Sequence, residues 1–169
     1  MNNSNEEIVD IVDEDDNVVG EALRIDTNFN PSLIHREVGI ILYDKDNKVL
    51  LQKRSLSKKK NPGKWGVTAG HVSKGQTPLE AAHREMLEEI GFDTELEFIE
   101  KKRETNDTES RFVYWYKGLI KDNVRMKLDP TEVIKVEILS KEEVDKLIST
   151  GEELTRGTIR FLEKYWSGN

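Results

Sequence analysis

The stretch GHVSKGQTPLEAAHREMLEEIGF, residues 70–92, holds the clearest helix signal in the chain. Thr77 is a good N-cap, and Glu80 follows three residues later in the capping-box arrangement. Pro78 suits the first helical position, and Gly91 suits the C-terminal cap. Leu79, Ala82, Met86 and Ile90 recur at spacings of three and four and define a buried stripe. Glu85, Glu88 and Glu89 then fall beside that stripe on one side of the helix. Like charges three or four positions apart cost a helix about 0.2–0.5 kcal/mol per pair. An acidic helix face is ordinarily just a solvated one. Three carboxylates converging from one face are also what Mg²⁺ or Mn²⁺ takes, since both prefer oxygen ligands.

On the N-terminal side, EIVDIVDEDDNVVGEALRI reads as two short strands around an Asp/Asn cluster, a hairpin. The first residues, MNNSNEE, read as a frayed tail. DTNFNPSL is a loop punctuated by Pro31. HREVGIILYD and KVLLQKR form a second strand pair, and the continuous apolar run 38–42 predicts a strand buried on both faces. SLSKKKNPGKWG is a basic loop, and VTAGHVSKG a loop whose two glycines permit close backbone approach to a ligand. Beyond the helix, TELEFIEKKRE, RFVYWYKGLI and TEVIKVEILS read as strands. SKEEVDKLIS, capped by Ser140, and LTRGTIRFLEKYW read as helices. Strands and helices alternate irregularly, which predicts an α/β or α+β class with a mixed sheet.

A chain of 169 residues can bury a core without staples. Its net charge of −7 argues against nonspecific nucleic-acid binding. With no cysteine it has no disulfide framework, thiolate metal site or cysteine nucleophile. MNNSNEEIVD carries no apolar run, and no stretch approaches the roughly 18–20 apolar residues that cross a bilayer, so the expectation is a cytoplasmic protein.

Gly70, Arg84, Glu85, Met86, Glu88, Glu89, Gly91 and Phe92 resemble the Nudix box, G-x5-E-x7-R-E-U-x-E-E-x-G-U with U apolar. Every spacing holds, with one departure: Gln76 stands where the pattern has its first Glu. The resemblance implies an α/β/α sandwich with a mixed sheet, here carrying the N-terminal hairpin as an extension. It implies one domain over 1–169, with tail and hairpin in 1–30 and the Nudix core in 33–165. It further implies a hydrolase of a nucleoside diphosphate linked to another group, using Mg²⁺ or Mn²⁺. Glu85, Glu88 and Glu89 match the metal ligands, and the carbonyl of Ala69 completes that set. Arg84 matches the arginine that orients a glutamate. Gln76 can still hydrogen-bond at its supporting position but supplies no charge.

LIHREVGIILYDKDNKVLLQKRSLSKKKNPGKW is also similar to the type I isopentenyl diphosphate isomerases and to hydrolases that look like them. That likeness marks Arg24, Arg54 and Lys58 as groups that hold a substrate diphosphate; Arg offers a bidentate fork and Lys a point charge. His35 and His71 match metal-binding histidines of those isomerases, and a third such histidine is replaced by Asn28. A hydrogen-bonded structural imidazole is the favoured role for both, because ligand histidines need partners. The isomerase cysteine, expected near Ala69 or Gly70, is missing. Glu132 matches the region of the catalytic glutamate and is preferred over Glu137 on the same strand.

The expectation is therefore a metal-dependent hydrolase of a small diphosphate. Glu88, Glu89, Arg84 and Glu132 are its catalytic residues, and it has no nucleic-acid or membrane partner. A non-catalytic diphosphate-binding module and an isomerase-like protein are the alternatives. Trp65 and the aromatics of RFVYWY could stack on a base, but alternating aromatics on a strand ordinarily pack a core. Oligomeric state stays open, with the hairpin as the candidate contact of a homodimer.

Overall fold

The structure, a computed structural model, describes residues 7–166. Among the described residues, nine strands and four helices follow in order: β1 (Ile8–Val12), β2 (Val18–Leu23), α1 (Arg24–Thr27), β3 (His35–Tyr43), β4 (Val49–Arg54), β5 (Trp65–Gly66), β6 (Thr68–His71), α2 (Pro78–Glu89), β7 (Leu96–Thr105), β8 (Ser110–Leu119), β9 (Val133–Leu139), α3 (Lys141–Ser149) and α4 (Arg156–Tyr165). β1 and β2 form a two-stranded sheet. The other seven strands form one sheet of hydrogen-bonded order β5-β4-β3-β8-β7, with β6 added to β3 and β9 to β4. The α+β class and the N-terminal hairpin are as the sequence implies. Two short strands were not legible: Trp65–Gly66 and Thr68–His71 lie in stretches read as loop.

The chain divides into two compact units, and β3, α2 and β8 each pass from one into the other. The first comprises residues up to Gly39, Ala69–Arg84 and Glu97–Tyr116. Its hairpin runs in antiparallel register from Ile8↔Leu23 to Val12↔Val18, with a bulge at Ile11/Val12. The turn is closed by Asp13, whose Oδ1 accepts the N–H groups of Asp15 and Asn17, both at 2.9 Å. Asp16 adopts a left-handed φ of 69° and collects Arg36 Nε (2.7 Å), Lys101 Nζ (3.0 Å) and the Tyr114 hydroxyl. Burial opposes ionisation of Asp16, but these donors together hold its carboxyl below the usual range. Val12, Ile34 and Phe112 make an apolar cluster here with Tyr114 against it. Residues 1–6 of the tail lie outside the described residues. Glu7 is not frayed: it pairs with Arg24 Nε at 3.0 Å and accepts the Ser73 hydroxyl at 2.7 Å.

The second unit comprises Ile40–Thr68, Glu85–Leu96 and the chain from Lys117. β4 lies between β9, paired from Val49↔Leu139 to Arg54↔Val133, and β5, paired at Gln52↔Gly66 and Lys53↔Trp65. The continuous apolar run is buried as expected, with Ile40, Ile41 and Leu42 all at 1% exposure or less. Trp65 is a core residue, 2% exposed, and its indole N–H donates to Glu152 Oε2 at 3.0 Å. Ser140 and Glu143 form a capping box on α3, and the Thr155 hydroxyl caps α4.

The N-terminus of α2 carries its capping box: Thr77 N–H donates to Glu80 Oε2 at 2.8 Å, and Glu80 N–H donates to Thr77 Oγ1 at 3.3 Å. The buried stripe differs from the expected one. Leu79 is 42% exposed, while Ala81, Ala82, Met86 and Ile90 are fully buried. Glu89 joins them at 3% exposure. It stands seven residues after Ala82, two helical turns on, and so lies on the apolar stripe rather than beside it.

Candidate active site

The three acids of α2 meet unequal surroundings. Glu88 is exposed, Glu85 is half-buried and Glu89 is buried. A buried carboxylate must be hydrogen-bonded to stay ionised. Gln52 on β4 donates from Nε2 to Glu89 Oε2 at 2.7 Å, and the Gln52 Oε1 accepts the Thr68 hydroxyl at 3.2 Å.

The end of α2 leads directly to the other residues proposed for chemistry. Gly91 takes φ +74°, and a Cβ there would lie 2.6 Å from the Lys127 carbonyl oxygen, so only glycine fits. Lys127 N–H donates to the Ile90 carbonyl (2.9 Å) and Asp129 N–H to the Glu89 carbonyl (3.2 Å). Asp129 closes a turn by accepting the Thr131 N–H (2.8 Å) and hydroxyl (2.7 Å). Glu132 follows, just ahead of β9; its N–H donates to the Asp129 carbonyl (3.0 Å) and its carbonyl accepts Ser55 N–H (2.8 Å). The Glu132 carboxylate is ion-paired with Lys58. Arg54, at the end of β4, donates from Nε to the Lys60 carbonyl at 3.3 Å. Glu85, Glu88, Glu89, Glu132, Lys58 and Arg54 therefore belong to a single unit. Glu137 sits within β9, paired with Lys135.

The remaining proposed residues belong to the first unit. Arg84 donates to the His71 carbonyl at 2.8 Å and to Gln76 Oε1 at 3.3 Å, so the neutral amide at position 76 still engages the arginine. Ala69 is half-buried on β6, a strand rather than a loop. Arg24, expected on phosphate, is held by Glu7.

A second cluster on β3, β6 and β8 was only half visible beforehand. His35 and Glu37, two apart on β3 and so on one face, meet His71 and Arg111. Glu37 Oε1 lies 3.4 Å from His35 Nε2 and 3.3 Å from His71 Nε2; its Oε2 lies 3.0 Å from Arg111 Nε. Arg111 also reaches Glu109 at 3.0 Å and Glu104 at 3.2 Å. The imidazoles stack with centroids 5.3 Å apart. Burial works against the Glu37 charge, but the His35 hydrogen bond and the charges of His71 and Arg111 outweigh it and hold the carboxyl well below the usual range. His35, Glu37 and His71 each offer a donor atom within 4.8 Å of the others, so the trio has the spacing of a cation site. Arg111 shares its one charge among Glu37, Glu104 and Glu109, and His35 Nδ1 is buried without a hydrogen-bond partner.

Gln52, Glu37 and Arg111 were not singled out from the sequence. Gln52 left one signal, an amide ending the apolar run VLL.

A model of the NUDIX domain matches residues 33–160. The chain belongs to the Nudix family. An uncharacterized Nudix hydrolase of Listeria monocytogenes is 28% identical over 85% of this chain and 85% of its own length. An isopentenyl-diphosphate Delta-isomerase of Streptomyces coelicolor is 28% identical over 81% of this chain and 73% of its own. The isomerase of Streptomyces griseus is 34% identical over 53% of this chain, a match spanning 46%, about half, of that protein. A crystal structure from Deinococcus radiodurans shares the fold with TM-score 0.78 at 24% identity, covering 94% of this chain and 98% of that one. The Nudix assignment thus stands, with relatives named both as hydrolases and as isomerases. Among the described residues no helix is long and apolar enough to cross a membrane.

Proposed function

We propose that this chain is a divalent-metal-dependent Nudix hydrolase that cleaves the diphosphate linkage of a nucleoside diphosphate-X or a related small diphosphate in the cytoplasm, working as one domain with residues 1–30 as an extension. The observation that carries the reading is the buried Glu89 carboxylate, 3% exposed and held by a neutral amide, on the same two turns of helix as Glu85 and Glu88. That donor set is all oxygen and all carboxylate, which fits Mg²⁺ or Mn²⁺. A cation bound by these acids would supply Lewis-acid stabilisation of phosphoryl charge and a more acidic water.

The protein's own residues support the rest. Lys58 and Arg54 offset charge that develops on phosphate oxygens. Glu132 is the proton acceptor, and its pairing with Lys58 sets the order of events. A phosphate that takes Lys58 releases the carboxylate for base work only when substrate is present. Isomerase chemistry, suggested by several relatives' names, requires an acid at an alkene carbon, and the cysteine that serves in the isomerases has no counterpart among zero cysteines. Incubation with Mg²⁺ and a panel of nucleotide sugars, ADP-ribose, dinucleoside polyphosphates and isoprenoid diphosphates tests the reading. Release of a monophosphate that needs the metal supports it. Absence of turnover on every compound, from folded protein, argues for a binding module; mass-neutral rearrangement of an isoprenoid diphosphate argues for an isomerase.

A further inference from the structure

We infer that Gln52 is a positioning residue for the Glu89 carboxylate and that Thr68 anchors the far end of its amide. The inference rests on the reading that Glu89 helps hold a divalent cation.

Gln52 is 1% exposed in the middle of β4, hydrogen-bonded into the ladder opposite Val136 on one side and Gly66 on the other. An amide buried there is costly unless both its ends are bonded. Both are: Nε2 donates to Glu89 Oε2 at 2.7 Å, and Oε1 accepts Thr68 Oγ1 at 3.2 Å. Thr68 is itself 1% exposed. The sense of the amide is set at the carboxylate end: flipped, its carbonyl oxygen would face the Glu89 carboxylate oxygen. The Thr68 hydroxyl, which can donate or accept, holds the other end in place.

The choice of an amide has a consequence for charge. Lys or Arg at position 52 would orient Glu89 equally well but would cancel its charge. The amide orients the carboxylate and adds no charge of its own beside it. Groups that orient metal ligands in this way typically alter metal affinity by about 10–100-fold when removed.

The test is the Mn²⁺ dissociation constant of the full chain, read from the electron paramagnetic resonance signal of free aqueous Mn²⁺, with circular dichroism to confirm folding. Gln52→Met keeps shape and burial but removes the donor; it should weaken Mn²⁺ binding by about 10–100-fold. Thr68→Val keeps the donor but releases the amide; it should weaken binding by about threefold to tenfold. In a turnover assay Gln52→Met should raise the Mn²⁺ concentration needed for half-maximal rate, a shift that a loss of folded protein does not produce. If Gln52→Met does not fold, Thr68→Val carries the test alone. Wild-type binding of Mn²⁺ with equal affinity in the folded variants overturns the inference and leaves the proposed function standing. Failure of the wild type to bind Mn²⁺, with Glu89→Gln no different, overturns both.

Discussion

Two regions gather acidic side chains, and they handle the charge in opposite ways. On β3, β6 and β8, Glu37 is ringed by His35, His71 and Arg111, and Arg111 is ringed in turn by Glu37, Glu104 and Glu109. On α2, Glu85, Glu88 and Glu89 stand within two turns, and a neutral amide donates to the buried member. The first sets one carboxylate among two imidazoles and a guanidinium, with His35 Nδ1 buried and lacking a hydrogen-bond partner. The second sets a buried carboxylate against a buried amide donor. On the proposed reading the first acts through stability and the second through a cation.

The most severe way to break that contrast is to remove charge from the helix. Glu88→Gln changes an exposed residue, so the fold should be untouched, while kcat/KM for the active diphosphate should fall by about 10³-fold. A fall of less than tenfold would place the metal elsewhere. Glu132→Gln should cost about 10²-fold in kcat, the usual scale for a general base. Because it also releases Lys58, KM should hold or drop; a rise in KM instead would make Glu132 a binding residue.

The ion network should answer through stability instead. Glu37→Gln leaves Arg111 and the imidazoles without their shared partner and should destabilise the fold by about 3 kcal/mol near neutral pH. The Glu37 carboxyl is more acidic folded than unfolded, so its contribution is fully present above the ordinary value of 4.5 and is lost as pH falls through the lowered one. The gap between wild type and Glu37→Gln in urea denaturation should therefore narrow below about pH 4.5; a gap constant down to pH 3 would mean the charge is not what stabilises. The smallest effect is at the helix cap. Thr77→Ala removes the hydroxyl that receives Glu80 N–H and should cost about 1 kcal/mol.

Much of this was legible because helix and hairpin signals are local. Thr77, Pro78 and Gly91 announce the ends of α2, and the Asp/Asn cluster announces the hairpin turn. The spacing of Glu85, Glu88 and Glu89 announces the proposed metal site. β5 and β6 were missed because two- and four-residue strands carry no period of their own; partners in other strands make them. Leu79 was misplaced because its spacing fits the stripe, yet the stripe in fact runs through Ala81, Ala82, Met86, Glu89 and Ile90. A charged residue on the buried face contradicts any pattern built on hydrophobicity alone, and that is where Glu89 is. Gln52 and Arg111 were invisible for a related reason. Their importance lies in partners 37 residues away in one case and 74 in the other, at Glu89 and Glu37.

The two regions are told apart most directly by Mn²⁺ titration of three proteins side by side. Wild type should bind the ion, Glu88→Gln should bind it at least tenfold more weakly, and Glu37→Gln, assayed where it is folded, should bind like wild type. Binding lost in Glu37→Gln and kept in Glu88→Gln would put the cation among the histidines and contradict the account.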